Sequence, residues 1–287
     1  MGFDLRQLRY FQAVAEELHF GRAARRLHIT QPSLSQQISA LERTVGAPLL
    51  ERSSRGVRLT PTGAALLPEA RALVARADQS LRDVRRLAAG LRPTLDVGLS
   101  PGIGPALLRR IRTAALGVGV NVSVRDANTA EQVDLLGRRE LDLGLLLEPV
   151  EDERLELLRL ADEPLGVITG RSHELPPEVT SQDLTDRRLL WFRRRDAPGY
   201  HDEVLRSCAA AGWEPQVSIT PSTRLSAVVL LLTTEADLVS LVPAEKAGHP
   251  ELLWRPLRDA PRHRIALAWH RDNRMDPVHR LRAALTA

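Results

Sequence analysis

The chain lacks the second cysteine that would cross-link it, the long apolar run that would anchor it in a membrane and the ligand spacing that would hold a metal. Cys208 is the one cysteine in 287 residues, so neither an internal disulfide nor a two-thiol switch within one chain can form, and a reducing compartment is expected. No run of about 18 uncharged apolar residues occurs. The first residues also lack the basic-then-apolar order of a secretory signal, so a cytoplasmic protein with no membrane partner is expected. The eight histidines show no His-Glu-x-x-His or Cys-x-x-Cys spacing, which leaves zinc without support. His19, His28, His263 and His270 read as structural or exposed. Gly102-Ile103-Gly104 lacks the third glycine, the P-loop lysine and the later acid of a nucleotide site and reads as a turn. No Gly-x-Ser-x-Gly elbow or paired catalytic set emerges. No cofactor is expected.

Lysine is almost missing as well: Lys246 is the only one among 40 basic residues. Residues 1 to 92 carry 15 Arg against 8 acidic residues, a charge of +7 within a total of +4, so the remainder stands at −3. A basic front end beside a slightly acidic body points to a polyanion met by the first part only.

What is present in that first part is helical periodicity. Leu5, Leu8, Phe11, Ala15 and Leu18 predict an amphipathic helix over residues 4 to 18. Gly21 to Leu27 follows as a short second helix whose Ala23 and Ala24 allow close approach. His28, Ile29 and Thr30 make a tight connection, with Thr30 able to cap a third helix and Pro32 tolerated in its first turn. Leu34, Ile38, Leu41 and Val45 share one face of this helix. Ser33, Ser35, Gln36, Gln37 and Ser39 lie elsewhere. An ordinary solvated helix carries Lys and Glu, whereas a face of Ser and Gln near a helix N-terminus suits hydrogen bonding to base edges. Leu49 to Arg52 and Val57 to Thr60 then flank Ser53-Ser54-Arg55-Gly56 as a basic hairpin. Arg52, Arg55 and Arg58 on it could neutralise backbone phosphates.

The stretch FGRAARRLHITQPSLSQQISALERTVGAPLLERSSRGVRLTPTG closely resembles the DNA-binding module of the LysR-type transcriptional regulators, and the likeness runs from Leu5 to Gly63. It implies a winged helix-turn-helix in which Gln31, Pro32, Ser33, Ser35 and Gln36 lie at the DNA and Arg52 and Arg55 contact the backbone and minor groove. Gln36 stands where arginine is common. Gly21 stands where many relatives have a Ser or Thr cap, and Gly is a weaker substitute. The resemblance also implies a double-stranded DNA operator, a small-molecule effector and RNA polymerase as partners.

Thr60-Pro61 opens a long helical stretch reaching roughly Ala89. Leu66, Ala70, Leu73, Ala77, Leu81, Val84 and Leu91 form one stripe, which a second copy of the chain would most simply cover. A homodimer is expected there, and a homotetramer by resemblance. Pro68 predicts a bend near residues 64 to 68.

After Pro93, strands and helices alternate. Thr94–Leu99, Asn121–Arg125 and Leu141–Leu147 read as strands around helices Pro105–Leu116 and Ala130–Arg139. Leu189–Arg193, Gln216–Thr220 and Leu238–Val242 read as strands around helices Tyr200–Ala211 and Leu225–Leu232. Ile265–Trp269 and Pro277–Leu285 close the chain. The fold class expected is α/β with an N-terminal all-α winged helix-turn-helix, a long linker helix and a two-lobed Rossmann-like effector domain resembling periplasmic binding proteins. The expected boundaries are 1–62 for DNA binding, 63–92 for the linker and 93–287 for the effector domain. Within the last, 93–165 with 267–287 makes lobe I and 166–266 makes lobe II. Glu140-Leu141-Asp142-Leu143-Gly144 echoes the family locally, while Glu235-Ala236-Asp237 replaces its usual Gly-x-Gly before the strand from Leu238.

Ligands in open α/β sheets sit beyond the C-terminal strand ends, where helix N-termini offer N–H groups to anions. Ser100, Pro101, Thr129 and Thr223 lie at such ends, with Phe192 and Arg193 at another. A helix cap is the plain alternative for each hydroxyl, and a solvated charge run is that for Arg193. Together they suggest a site for a small polar metabolite such as an organic acid. An enzyme fused to a helix-turn-helix and a solute-binding protein are the competing classes. The basic module and the missing signal speak against the second.

Overall fold

A computed structural model describes residues 2, 4–53, 56–220, 224–246 and 248–286, apart from the side chains of Arg52, Ser53, Asp83, Arg86 and Leu87. Arg55 and Thr223, both expected site residues, lie outside the described residues, as does the Arg52 side chain. Two compact units result, one built on Met1–Leu91 and the other on Arg92–Gly137 with Leu141–Ala287.

The first unit opens with α1 (Leu5–Glu17), whose start is set by Asp4: its carboxylate accepts from Arg6 N while Gln7 reaches back to the Asp4 N–H. α2 (Phe20–Arg26) and α3 (Gln31–Val45) follow. The apolar positions of the three helices interlock, with Leu8, Phe11, Val14, Ala23, Leu34, Ile38 and Leu41 almost fully buried in one core. Leu5 and Leu18, expected in that core, are exposed instead. Leu5 opens the helix and Leu18 is its left-handed cap, so both stand at its ends.

The wing is β1 (Leu50–Ser53) paired antiparallel with β2 (Gly56–Leu59), Leu50 opposite Leu59. The long helix α4 (Pro61–Ala88) runs through Pro68 without a break. Its stripe divides: Ala70 and Val74 are buried in the unit's own core against α1, whereas Leu73, Leu81 and Val84 are exposed. The expectation that the whole stripe lacks a partner within its domain is corrected accordingly. Successive residues of a helix point to different faces, so the row facing α1 docks and the adjacent row faces outward.

In the second unit, β3 (Thr94–Leu99), α5 (Pro105–Gly117), β4 (Asn121–Asp126), α6 (Thr129–Gly137) and β5 (Leu143–Leu147) come first. The chain continues as β6 (Leu155–Gly170), β7 (Arg188–Trp191), α7 (Pro198–Ala210), β8 (Gln216–Ile219), α8 (Leu225–Thr234), β9 (Leu238–Pro243), β10 (Leu252–Pro256), β11 (Arg262–His270) and α9 (Asp276–Thr286). Among the described residues these strands form one mixed sheet in the order β4-β3-β5-β11-β6-β9-β7-β8, with β10 paired to β6. Parallel strands fill both ends, and the long antiparallel pair β6 and β11 joins them.

Sequence reasoning missed β6 and β10. β6 holds Glu156, Arg159, Asp162, Glu163 and Pro164 in its first ten residues, a composition that reads as a loop. It is a strand because β11 pairs with it from Leu155 to Pro164, with one register shift opposite Ile265 and Ala266, while several of its side chains there meet water, and its last six residues turn fully buried.

Candidate DNA-reading face and ligand cleft

The helix-turn-helix is positioned by its caps. Thr30 accepts from Ser33 N at 3.4 Å to start α3, as its sequence position implies. α2 starts differently from expectation: the cap is His19, whose Nδ1 accepts from Gly21 N at 3.0 Å and Arg22 N at 3.2 Å. Gly21 is therefore a first-turn residue. A side chain there would press against the His19 ring, with Cε1 only 3.1 Å from a Cβ, so imidazole takes over the role that a Ser or Thr cap would play. Between α2 and α3 the backbone of His28 is left-handed at φ 56, which gives the tight turn its geometry.

With Leu34, Ile38 and Leu41 locked in the core, the opposite face of α3 is set. Gln31, Pro32, Ser33 and Gln36 are exposed on it and Ser35 is half-buried beside them. Gln37 turns away, accepting from Gln7 Nε2 at 3.4 Å. Glu16 braces the frame, with Oε2 2.8 Å from Arg26 Nη1 and Oε1 3.3 Å from Arg71 Nη2. Burial alone would raise its carboxyl. Hydrogen bonds from Gln12 and Arg26 and the charges of Arg26 and Arg71 outweigh that and hold it below the usual carboxylate range.

In the second unit the ends of β3 and the start of α6 converge. Ser100 Oγ lies 3.0 Å from Thr129 Oγ1, and both residues are buried. Gln132 Nε2 donates to Ser100 Oγ at 2.9 Å and to the Ala127 carbonyl at 2.8 Å, and Leu147 N donates to Thr129 Oγ1 at 3.2 Å. Gln132 is itself fully buried across two strands, and a side chain at Gly98 or Gly144 would run into it at 2.5 Å and 2.7 Å. This explains the glycine that ends Leu141-Asp142-Leu143-Gly144. Asp142 in the same run accepts from Asp96 N at 2.9 Å.

Phe192 is half-buried at the end of β7, parallel to Tyr200 at a ring spacing of 6.1 Å. Pro101 and Arg193 are exposed. Arg194 and Arg195 spend their charge locally on Asp202 and Asp196. The missing Gly-x-Gly before β9 is compensated by Arg188, whose Nε and Nη2 reach Asp237 at 2.5 Å and Glu235 at 2.8 Å and so pin the turn. Cys208 is buried in the core and its thiol is pushed up to about 12 by that burial, so it stays protonated and packs as an apolar residue.

Residues 5–64 match the family model described as a bacterial regulatory helix-turn-helix protein of the lysR family, and residues 88–287 match the LysR substrate binding domain. The chain belongs to the LysR family of transcriptional regulators. It is a sequence-specific DNA-binding regulator whose C-terminal domain binds a small-molecule effector. The regulator is 33% identical over 289 residues to the uncharacterized HTH-type transcriptional regulator YnfL of Escherichia coli, which spans 98% of this chain and 96% of that protein. It is 33% identical over 288 residues to the HTH-type transcriptional regulator BudR of Raoultella terrigena, covering 96% and 98%. Among solved structures, full-length CbnR complexed with its target DNA is similar with a TM-score of 0.74 at 27% identity, covering 99% of both chains. No helix among the described residues of the regulator is long and apolar enough to cross a membrane.

Proposed function

We propose that Gln31, Pro32, Ser33, Ser35 and Gln36 read base edges while Arg52 and Arg55 of the wing neutralise phosphates. In the second unit, Ser100, Pro101, Thr129, Phe192, Arg193 and Thr223 surround a small organic acid whose binding alters operator affinity or transcription. The supporting observation is the meeting of Ser100 and Thr129: two hydroxyls from different elements share one polar network at the C-terminal end of β3, where open α/β sheets receive ligands. The working division is 1–62 for DNA, 63–92 for dimerisation and 93–287 for the effector, with lobe I at 93–165 and 267–287 and lobe II at 166–266. The protein acts in the cytoplasm as a homodimer or homotetramer, meets RNA polymerase at the promoter and carries out no catalysis.

Genomic fragments retained by the full-length protein at about 0.15 M salt, where non-specific binding is weak, test the reading. Enrichment of one inverted-repeat sequence is expected, with metabolites of the neighbouring genes changing its footprint. Retention no better than that of random DNA would remove the regulator reading, and turnover of a metabolite by the pure protein would restore the enzyme alternative.

A further inference from the structure

Within the second unit, a short 3-10 turn, Ala244–Lys246, follows β9 and brings two charged side chains to the loop that opens α5. Lys246 is the chain's single lysine. It is half-buried, and its Nζ lies 3.9 Å from where a Cβ on Gly102 would stand. It makes no hydrogen bond or close ion pair among the described residues. Burial lowers its pKa while the adjacent Glu245 charge opposes the shift. Gly104 caps α5 without a side-chain hydrogen bond, and Pro105 occupies the first helical position. Ala106 and Leu107 then present first-turn N–H groups that have no acceptor within the helix. A side chain at Gly104 would overlap the Glu245 carboxylate, so that carboxylate rests at the helix N-terminus.

The third wall comes from β11. His263 is 3% exposed, with Nδ1 2.7 Å from the Tyr200 hydroxyl, and its Nε2 has no hydrogen-bond partner among the described residues. Nε2 faces the Gly102 backbone, which draws it only weakly, without full hydrogen-bond geometry; burial followed by the nearby Lys246 charge pushes the ring down to about 4 against that weak attraction. The ring is therefore neutral. Burial raises the Tyr200 hydroxyl far above its ordinary value, so it keeps its proton; in the tautomer in which it donates to Nδ1, the imidazole proton sits on Nε2, on the side of the Gly102 loop. Glu163, opposite His263 in the β6–β11 register, bounds the site. Burial and the Glu245 charge raise its carboxyl, with the Arg262 charge opposing the shift.

We propose that Lys246, the His263 Nε2–H and the first-turn N–H groups of α5 form the seat for the anionic group of the effector, with Glu245 as an internal carboxylate that the effector displaces. This rests on reading the strand end at Ser100 and Thr129 as the effector site. One cation and neutral donors, flanked by Glu163 and Glu245, match a singly charged carboxylate.

The single lysine makes the test direct. Reductive methylation of the full-length protein with isotopically labelled formaldehyde retains the charge and places one side-chain NMR signal at Lys246, assigned by its loss in Lys246→Gln. Sodium formate, the smallest carboxylate, is titrated against sodium chloride at matched ionic strength. A saturable shift in formate alone is expected below about 100 mM, the range of a weak isolated subsite. Glu245→Gln should tighten it about tenfold, as expected when one competing charge is removed. A linear drift equal in both salts would overturn the seat, and unchanged formate affinity in Glu245→Gln would overturn the displacement. If formate binds while Ser100→Ala and Thr129→Ala leave the metabolite response intact, the seat stands and the Ser100–Thr129 reading fails separately.

Discussion

Ser100 and Thr129 come from different elements, 29 positions apart in the chain, yet their hydroxyl oxygens lie 3.0 Å from each other. The contact exists because β3 and β5 are neighbours and Gln132 fills the space above their glycines. Thr129→Val removes the acceptor used by Leu147 N and leaves a buried N–H unpaired, so it should cost about 1–3 kcal/mol in denaturant unfolding. Ser100→Ala should cost less, since Gln132 Nε2 keeps the Ala127 and Leu145 carbonyls. Both variants, folded and DNA-binding, should lose the metabolite-induced footprint change; an unaltered change would reduce the hydroxyl pair to packing.

Base reading and phosphate contact should separate in the DNA-binding unit. Gln36→Ala should lower discrimination between operator and random DNA by about 1–3 kcal/mol, whereas Arg55→Ala should weaken binding to both DNAs and flatten the salt dependence. Titrations of each variant on both DNAs at two salt concentrations decide the matter. Equal losses on operator and random DNA for Gln36→Ala would remove it from base reading.

The division of the α4 stripe makes two neighbouring positions behave differently. Leu73→Glu with Leu81→Glu changes exposed residues, so the DNA-binding unit should keep its melting temperature while sedimentation shows dimers falling to monomers. Val74→Glu puts a charge into the core that holds Leu8 and Phe11, and the unit itself should unfold. A dimer that survives the paired leucine substitution would locate the interface elsewhere.

Acid should loosen the same unit through Glu16. Its folded pKa lies below the ordinary value, so the unfolded chain takes up the proton first. The stabilisation is fully present above the unfolded carboxyl range, near about 4.3 for Glu, and is lost as pH falls through the lower folded pKa. Glu16→Gln should therefore be less stable at pH 7 and show a flatter stability profile between about pH 5 and 3. Identical slopes for variant and parent would show that Arg26 and Arg71 contribute nothing through this carboxylate.

Local pattern was enough for the helix-turn-helix. Thr30, Pro32 and the Leu34–Ile38–Leu41 spacing belong to one short stretch, and the forces that place them act over three or four residues, so the sequence by itself determined the helices, their caps within a residue or two and the exposed Ser and Gln face. Even there His19 escaped, because a histidine acting as a cap carries no distinctive pattern. The alternation of strands and helices after residue 93 was equally legible from apolar runs. Tertiary structure alone decided the rest. Whether Val74 or Leu73 is covered depends on where α1 lies. β6 is a strand only because β11 runs beside it, and Arg188 replaces the missing glycines only because β7 and β9 are neighbours. The meeting of Lys246, His263 and Tyr200 with the Gly102 loop joins segments up to 161 positions apart. Such contacts are set by chain topology and burial, which act across the whole second unit and leave no periodic trace in the sequence.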